Sequence, residues 1–493
     1  MNSTMTKPST VPMTWFRWIP GVAHILQGKK IFGITTMFFF FSSPCIIALK
    51  LGDFIDSILS FLLTIILFVT QQGDQVRLYR ADIVDWWFAS AVLIATPVLI
   101  FIYTRESIVR LQRRTYDTSV SQWMIAWQAF KKQKLGVVTV YIILALYFIA
   151  CIAPFAAPFN PNAQQDIPVT QYQPPLTSIT VLQLRRDRIP PLEATVRDGD
   201  GFFSDLSNEL ITINHRLTDT GISRILFVDS FQVQGDSVIG WQKGRAVRLA
   251  KVDLQGADER DWVGTRFYVL GTDRFGRGIL SRLIYGSRAS LILGLMAVLL
   301  AIFVGTGVGL FSGYFGGRLD SFLMRSVDIL LAFPTLFFIL IIVSLFETIP
   351  IPRIILIVIV LGLTSWMSVS RFVRGQVLAV KEEEYILAAK ALGLHAHQII
   401  LRHILPNILT PIIINATLRL GGIILLEAAL SFLNLGVQTP TPSWGNIIAE
   451  GKDFLSSAWW ISTFPGFAIV FTVICFNIFG DSLRDALDPK LKD

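Results

Sequence analysis

Long runs of apolar residues alternate with polar segments along this chain. Since about 20 apolar residues suffice for one helix to cross a bilayer, these runs predict membrane-spanning helices. They lie near 31–49, 54–70, 86–103, 136–155, 289–313, 329–348, 354–372, 408–433 and 461–480. The pattern predicts an all-α polytopic membrane protein in which the last six runs form the core and the first three form an N-terminal extension.

The polar segment 156–270 interrupts this pattern. It is rich in proline at its start and later contains short β-like runs at 224–233 and 262–270. Its arginines do not oppose an extracytoplasmic location, because loops of this length escape the positive-inside rule. We therefore expect a β-rich extracytoplasmic insertion. Within it, the sequence Asp-Gly-Asp-Gly at 198–201 lacks the spacing of a calcium-binding loop and predicts a turn.

The predicted organisation has five parts. They are a membrane extension (1–105), a cytoplasmic basic amphipathic segment (106–135), the first core span (136–155), the insertion (156–270) and a core domain with five spans (271–493). Three complete spans before a cytoplasmic segment would put the N-terminus outside, whereas Arg17, Lys29 and Lys30 favour the inside. Either one of the three runs is re-entrant or the N-terminus is outside, and the sequence leaves both open.

A polar, basic stretch between two apolar runs, 382–406, predicts two short amphipathic helices. In the first, Tyr385, Ala388, Ala389 and Leu392 share one helical face, and glutamates crowd its start. A glycine, Gly393, ends that helix. The second predicted helix has an apolar face of its own, and Pro406 marks the entry to the next apolar run. We predict that this stretch lies at the membrane surface and contacts a soluble partner.

Composition excludes several classes of function. The net charge of +8 and the mean hydropathy of +0.57 fit positive-inside bias, so we expect no nucleic-acid partner. Cys45, Cys151 and Cys475 lie far apart in apolar runs and predict no disulfide framework. The sequence contains no G-x-x-x-x-G-K-[ST] motif. We therefore expect no ATP-binding loop in this chain. We also expect no catalysis, no cofactor and no cleaved signal peptide.

A few polar residues within or near the spans are candidate functional groups. Arg419 and Glu427 lie eight residues apart in one apolar run, with Asn415 on the same helix. Intramembrane charges face a bundle interior or a water-filled path, so a translocation path and a structural ion pair both remain open. We expect the three histidines of the 382–406 stretch to lie on a solvated face rather than bind a metal.

The 382–406 stretch resembles the cytoplasmic coupling loop of ABC importer permeases, whose pattern is E-A-A, three residues, G, nine residues and I-x-L-P. Leu387 stands where the pattern has Glu, and His403 where it has Ile; Glu384, one turn earlier, is the candidate acid. The resemblance implies a set of ATPase-coupling residues. They are Glu384, Tyr385, Ala388, Ala389, Gly393, Leu405 and Pro406.

Further stretches, at 271–291, 313–336, 427–445 and 464–489, resemble the oligopeptide/dipeptide/nickel branch of these permeases. The resemblance implies a type I ABC importer transmembrane domain in the bacterial inner membrane. It also implies a second permease subunit, two cytoplasmic ATPase subunits that bind ATP and Mg²⁺, and an extracytoplasmic substrate-binding protein. The expected cargo is a peptide, and the alternative cargoes are a nickel chelate or a peptide antibiotic. An ion-coupled secondary transporter is the alternative from a different class of protein.

Overall fold

The computed structural model of this protein describes residues 20, 25, 30–69, 81–113, 122–185, 209–210, 213–214, 217, 225–256, 258–346 and 352–487. The predicted turn at 198–201 lies outside these residues. Contacts divide the chain into two units. The first comprises 1–121 and 201–217, and the second comprises 122–200 and 218–493.

The first unit contains three apolar helices, α1 (Lys30–Leu49), α2 (Leu51–Val69) and α3 (Ala81–Arg113). Among the described residues of this unit, two stretches have the length and hydropathy of a span, Ile31–Leu49 and Ile83–Arg105. The predicted boundary at 105 falls inside α3, because helical structure continues to Arg113.

Polar side chains join the helices of the first unit. Ser90 donates a 2.9 Å hydrogen bond to Ser57, and Ser60 donates a 2.6 Å bond to Asn214. The indole N–H of Trp87 also reaches the Ser60 hydroxyl at 3.3 Å. Asn214 therefore contacts the N-terminal helices, although the sequence predicted that it belongs to one continuous insertion.

The described part of the insertion in the second unit forms two small antiparallel sheets. The first has the strand order β2-β1-β6, and the second has the order β3-β4-β5. Short helices precede the strands at Ala153–Ala156 and Ile167–Thr170. The strands are β1 (Thr177–Gln183), β2 (Ile225–Val228), β3 (Ser230–Gln234), β4 (Ser237–Gln242), β5 (Arg245–Ala250) and β6 (Val263–Tyr268). Each sheet covers its own apolar cluster, centred on Phe227 and on Trp262.

A short helix, Glu259–Trp262, precedes β6, and the other helices of the second unit form the core spans and the segments between them. In chain order they are α4 (Gln122–Lys132), α5 (Lys134–Cys151), α6 (Ile279–Phe315), α7 (Gly317–Ala332), α8 (Thr335–Leu345), α9 (Arg353–Val380), α10 (Glu384–Ala391), α11 (Ala396–Gln398), α12 (Leu405–Phe432), α13 (Trp444–Gly451) and α14 (Trp460–Leu487). A π-helical turn, Ile399–Ile404, joins α11 to α12 without a break.

The run at 329–348, predicted as a span, is not one continuous helix. The chain forms two helices there, α7 and α8, whose axes meet at 93°. Pro334 provides the physical reason, because it lacks an N–H and disfavours helical geometry at Phe333, which is extended with ψ 134°. Apolarity predicted a membrane segment in this region but not the bend.

Two apolar clusters hold the core spans together. The larger one joins α5, α6, α8, α9, α12 and α14 and is centred on residues such as Leu291, Val360 and Ile424. The smaller one lies at the end of α6 and α9 that is next to the 382–406 loop. We call this end of the two helices the loop end. The prediction of an all-helical membrane core with extra N-terminal helices and a β-containing insertion is confirmed.

Candidate functional site

The first half of the 382–406 loop is the short helix α10, which ends at Gly393. The Gly393 N–H donates to the Lys390 carbonyl at 3.0 Å, and the Leu394 N–H donates to the Ala389 carbonyl at 3.2 Å. These two bonds form a Schellman motif, whose first residue beyond the helix adopts a left-handed conformation. Gly393 has φ +79°, and a Cβ added to it would meet no atom within 4 Å. The backbone conformation, not lack of space, therefore requires glycine.

The two sides of α10 have different environments. Ile386 is fully buried and Ala389 is 6% exposed, both within the cluster at the loop end. By contrast, Tyr385 is 44% and Leu392 is 81% exposed, and Ala388 is exposed as well. The four residues share a helical face by position, but Ala389 packs inside this chain while the other three residues point outwards. Periodicity alone could not show which apolar residues the rest of the chain covers.

The second half of the loop also differs from the prediction. Instead of a separate short helix that ends before Pro406, a continuous helical path runs from Ala396 through the π-helical turn into α12. Pro406 is exposed and lies in the first turn of α12, directly after the π-helical turn. Asn407 donates a 2.6 Å bond to the His403 carbonyl. The loop is therefore a direct extension of a spanning helix.

Charged and polar groups surround the exposed side of α10. Glu384, the candidate acid, is exposed and begins the helix. Partial burial of the phenol, with a smaller contribution from the Glu383 carboxylate, raises the pKa of Tyr385, while a hydrogen bond with Asn407 acts in the opposite direction. Tyr385 is therefore neutral at physiological pH and presents an aromatic ring with a polar tip. Leu405, the remaining candidate, is half-buried where α12 begins.

The polar candidates of α12 do not form the ion pair considered from the sequence. Arg419 donates through Nε to Asn415 at 2.6 Å and through Nη1 to the Ser368 hydroxyl at 2.9 Å. Glu427 is completely buried and accepts hydrogen bonds from Ser290 at 3.1 Å and Ser431 at 2.8 Å. The structural-pair interpretation is therefore wrong, because each charge has its own polar partners.

A buried network of four charges at the opposite end of the spans was not predicted. Asp273 accepts bonds from Arg277 and Arg282, both at 2.7 Å, and the two guanidinium groups also reach Glu450 at 2.5 and 2.6 Å. The side chains of Asp273 and both arginines are no more than 2% exposed. The sequence could have indicated part of this network, because Asp273, Arg277 and Arg282 lie within twelve positions of one another. It could not have indicated Glu450, which is more than 160 residues away from Arg282.

A second missed group lies at the loop end. Arg374 forms a bidentate pair with Asp320, with distances of 2.6 and 2.7 Å. Asp328, also on α7, contacts Arg371 of α9. Both pairs join helices that are distant in sequence, which is why local spacing could not indicate them.

Comparisons with known families and proteins agree with this arrangement of helices. Residues 305–493 match the family model described as the binding-protein-dependent transport system inner membrane component. Residues 121–175 match the N-terminal TM domain of oligopeptide transport permease C. The segments 1–120 and 176–304 lie outside both matches.

Individual proteins show the same relationship. The chain is 44% identical over 239 residues to the dipeptide transport system permease protein DppC of Alkalihalophilus pseudofirmus, which covers 48% of this chain and 75% of that protein. It is 43% identical over 223 residues to the oligopeptide transport system permease protein OppC of Escherichia coli, covering 45% and 72%. It is 42% identical over 224 residues to the OppC protein of Haemophilus influenzae, covering 45% and 71%.

One solved structure has a partial likeness. It is an inward-facing conformation of the MetNI methionine ABC transporter, with a TM-score of 0.36 and 18% identity, covering 42% of this chain and 96% of that one. The sequence relationships alone establish the family. This multi-pass membrane protein belongs to the family of binding-protein-dependent transport system inner membrane components.

Proposed function

We propose that this chain is the permease subunit of an ATP-driven importer of peptides. In this proposal it forms half of a translocation path with a second permease subunit. Of two cytoplasmic ATPase subunits, one docks on the 382–406 loop of this chain and the other on the second permease subunit, and an extracytoplasmic protein delivers the substrate. The ATPase subunits bind ATP and Mg²⁺, and this chain supplies the path and the mechanical connection.

The division of α10 into a covered and an uncovered side carries this proposal. Ile386 and Ala389 anchor the helix on its own chain, while Tyr385, Ala388 and Leu392 are left without cover. An exposed apolar stripe on a short, well-anchored helix is suited to bind in a groove of another protein. Since the loop continues directly into α12, a force applied to it reaches a spanning helix without a flexible linker.

The relatives support a peptide as cargo, since their names describe dipeptide and oligopeptide transport. Within the spans, Arg419, Asn415 and Ser368 form a partly buried polar group on two adjacent helices. We propose that this group borders the path, where it can hydrogen bond to a peptide backbone. Glu427 is a weaker candidate for the path, because its side chain is completely buried and already accepts hydrogen bonds from two serines.

Co-purification with a surface variant tests the docking site. The full chain is isolated from membranes with its associated proteins, as wild type and as Leu392→Asp, and the retained ATP hydrolysis is measured. We expect wild type to retain ATPase subunits and Leu392→Asp to lose most of them, because a carboxylate would enter an apolar contact. Leu176→Asp is the matched control, since Leu176 is 70% exposed in the insertion and far from the loop in sequence.

The outcomes separate the proposed functions. If wild type purifies without an ATPase and takes up solute in response to an ion gradient, the chain is a secondary transporter and this proposal fails. If ATP-dependent uptake in proteoliposomes accepts nickel chelates or a peptide antibiotic but not di- and oligopeptides, the permease role stands and the peptide assignment is wrong. Equal loss in Leu392→Asp and Leu176→Asp contradicts docking on α10.

A further inference from the structure

Three helices meet at the carboxylate of Asp320 on α7. Arg374 of α9 donates through Nε to Oδ1 at 2.6 Å and through Nη2 to Oδ2 at 2.7 Å. The hydroxyl of Ser312, in the last turn of α6, donates to Oδ1 as well. A bidentate guanidinium–carboxylate pair fixes orientation as well as distance. Asp320 therefore holds α7 in a defined position against both longer helices.

The helix α7 has few other attachments. Val327 is its one buried residue among those described. It begins at Gly317, directly after Gly316, and both glycines have positive φ and no neighbouring atom at the Cβ position; it ends at the break at Phe333 and Pro334. Since a helix with one buried side chain gains little from apolar packing, the polar contacts of Asp320 are a substantial part of its attachment.

The same corner of the structure carries the 382–406 loop. Arg374 lies within two turns of the end of α9, and the helix is followed after three residues by α10. Lys381, the first of those three, donates from Nζ to the Gly313 carbonyl at 3.3 Å. Val373 and Val377, on either side of Arg374, belong to the apolar cluster that includes Ile386 and Ala389 of α10. The loop and Asp320 are thus fixed to the same end of α9.

We propose that Asp320 and Arg374 are positioning residues that make α7 move together with the 382–406 loop. Displacement of the loop is then passed to α7 through this ion pair, in addition to the direct path into α12. This inference rests on the proposed function, in which ATPase subunits displace the loop. It assigns to α7, which the sequence predicted only in part and as a straight span, a role in transmitting the displacement.

A second ion pair between the same two helices supplies a control. Arg371 contacts Asp328, but the two side chains are 49% and 54% exposed, compared with 34% and 16% for Arg374 and Asp320. Exposed pairs contribute little. The proposal therefore requires that substitutions at Asp320 affect coupling and that the matched substitution at Asp328 does not.

The test uses the complete complex in lipid, with its substrate-binding protein, and measures substrate uptake and ATP hydrolysis in the same preparation. For Asp320→Asn we expect the uptake per ATP hydrolysed to fall by at least about fivefold, the lower end of typical coupling between sites. For Asp328→Asn we expect a change of no more than about twofold. The exchange variant, Asp320→Arg with Arg374→Asp, is expected to recover a large part of the lost ratio. A purely structural role would lower uptake and hydrolysis in proportion.

If Asp320→Asn does not fold, a distance measurement between two spin labels tests the proposal instead. Spin labels at the exposed positions Phe322 of α7 and Ala379 of α9 report the distance between the two helices in an otherwise intact complex. We expect one narrow distance distribution that is the same without nucleotide and with ATP. A broad distribution, a shift with ATP, or equal effects of Asp320→Asn and Asp328→Asn would overturn the proposal. Absence of ATPase subunits from the wild-type complex would instead refute the proposed function.

Discussion

Gly309 of α6 lies directly against Val373 of α9, so that a Cβ on Gly309 would be 2.7 Å from the Cβ of Val373. Gly305 and Gly313, one turn away on either side, meet Val369 and Val377 in the same way. The glycine stripe thus allows α6 and α9 to approach each other closely. Small residues serve this purpose in membranes, where association depends on packing and not on exclusion of water.

We predict that Gly309→Leu destabilises the core by about 1–3 kcal/mol, because the new side chain would force α6 and α9 apart. Gly307→Leu is the control, since a Cβ at Gly307 meets nothing within 4 Å. Thermal unfolding of the purified chain in detergent measures both. Equal melting temperatures for the two variants would contradict the proposed contact.

The buried charge network predicts a large cost for removing one member. In Asp273→Asn the charge that both Arg277 and Arg282 contact is lost, and two buried guanidinium groups share only Glu450. Breaking a buried pair in this way costs about 3–5 kcal/mol. Glu259→Gln, an exposed carboxylate in the insertion, is expected to change stability little. Yield of folded protein and melting temperature distinguish the two.

We predict that replacing glycine by alanine has opposite effects on stability at Gly393 and at Gly375. A Cβ meets no atom within 4 Å at either position, but Gly393 has φ +79° whereas Gly375 lies inside α9. Gly393→Ala is expected to cost about 1–2 kcal/mol through the left-handed backbone. Gly375→Ala is expected to stabilise by about 0.5–1 kcal/mol, because alanine favours a helix. Melting temperatures that move in the same direction would show that conformation does not decide these sites.

The insertion contains a tyrosine whose ionisation opposes folding. Burial raises the pKa of Tyr268 to about 12 from 10.0, with Arg266 acting in the opposite direction. A raised pKa means that the fold favours the neutral phenol. Its contribution to stability is therefore fully present below pH 10 and is lost as the pH rises to about 12. The difference in tyrosinate absorbance between wild type and Tyr268→Phe, followed against pH, measures this ionisation. A titration midpoint near pH 10 would contradict the raised pKa.

Several features could be predicted from the sequence because short-range patterns carry them. Apolar runs indicated the membrane helices, and the polar, proline-rich composition of 156–270 indicated an insertion with strands. The 382–406 loop was recognisable from Gly393 and its neighbours, since the end of a helix depends on a few adjacent residues. The identities of the residues that bind the ATPase subunits stay a prediction.

Other features depended on residues far apart in the chain. Apolarity is the same for a straight span and a bent one, so the run at 329–348 could not reveal the 93° angle between α7 and α8. The covered side of α10 is decided by Val373 and Val377, which belong to a different helix. Arg374 finds Asp320 at a separation of 54 positions, and Arg282 finds Glu450 at 168. The sequence by itself thus determined which segments form long apolar helices and that α10 stops at Gly393, since these follow from local apolarity and backbone preference. Only the tertiary structure decided which faces are buried and which charges pair, because those depend on helices that meet in space.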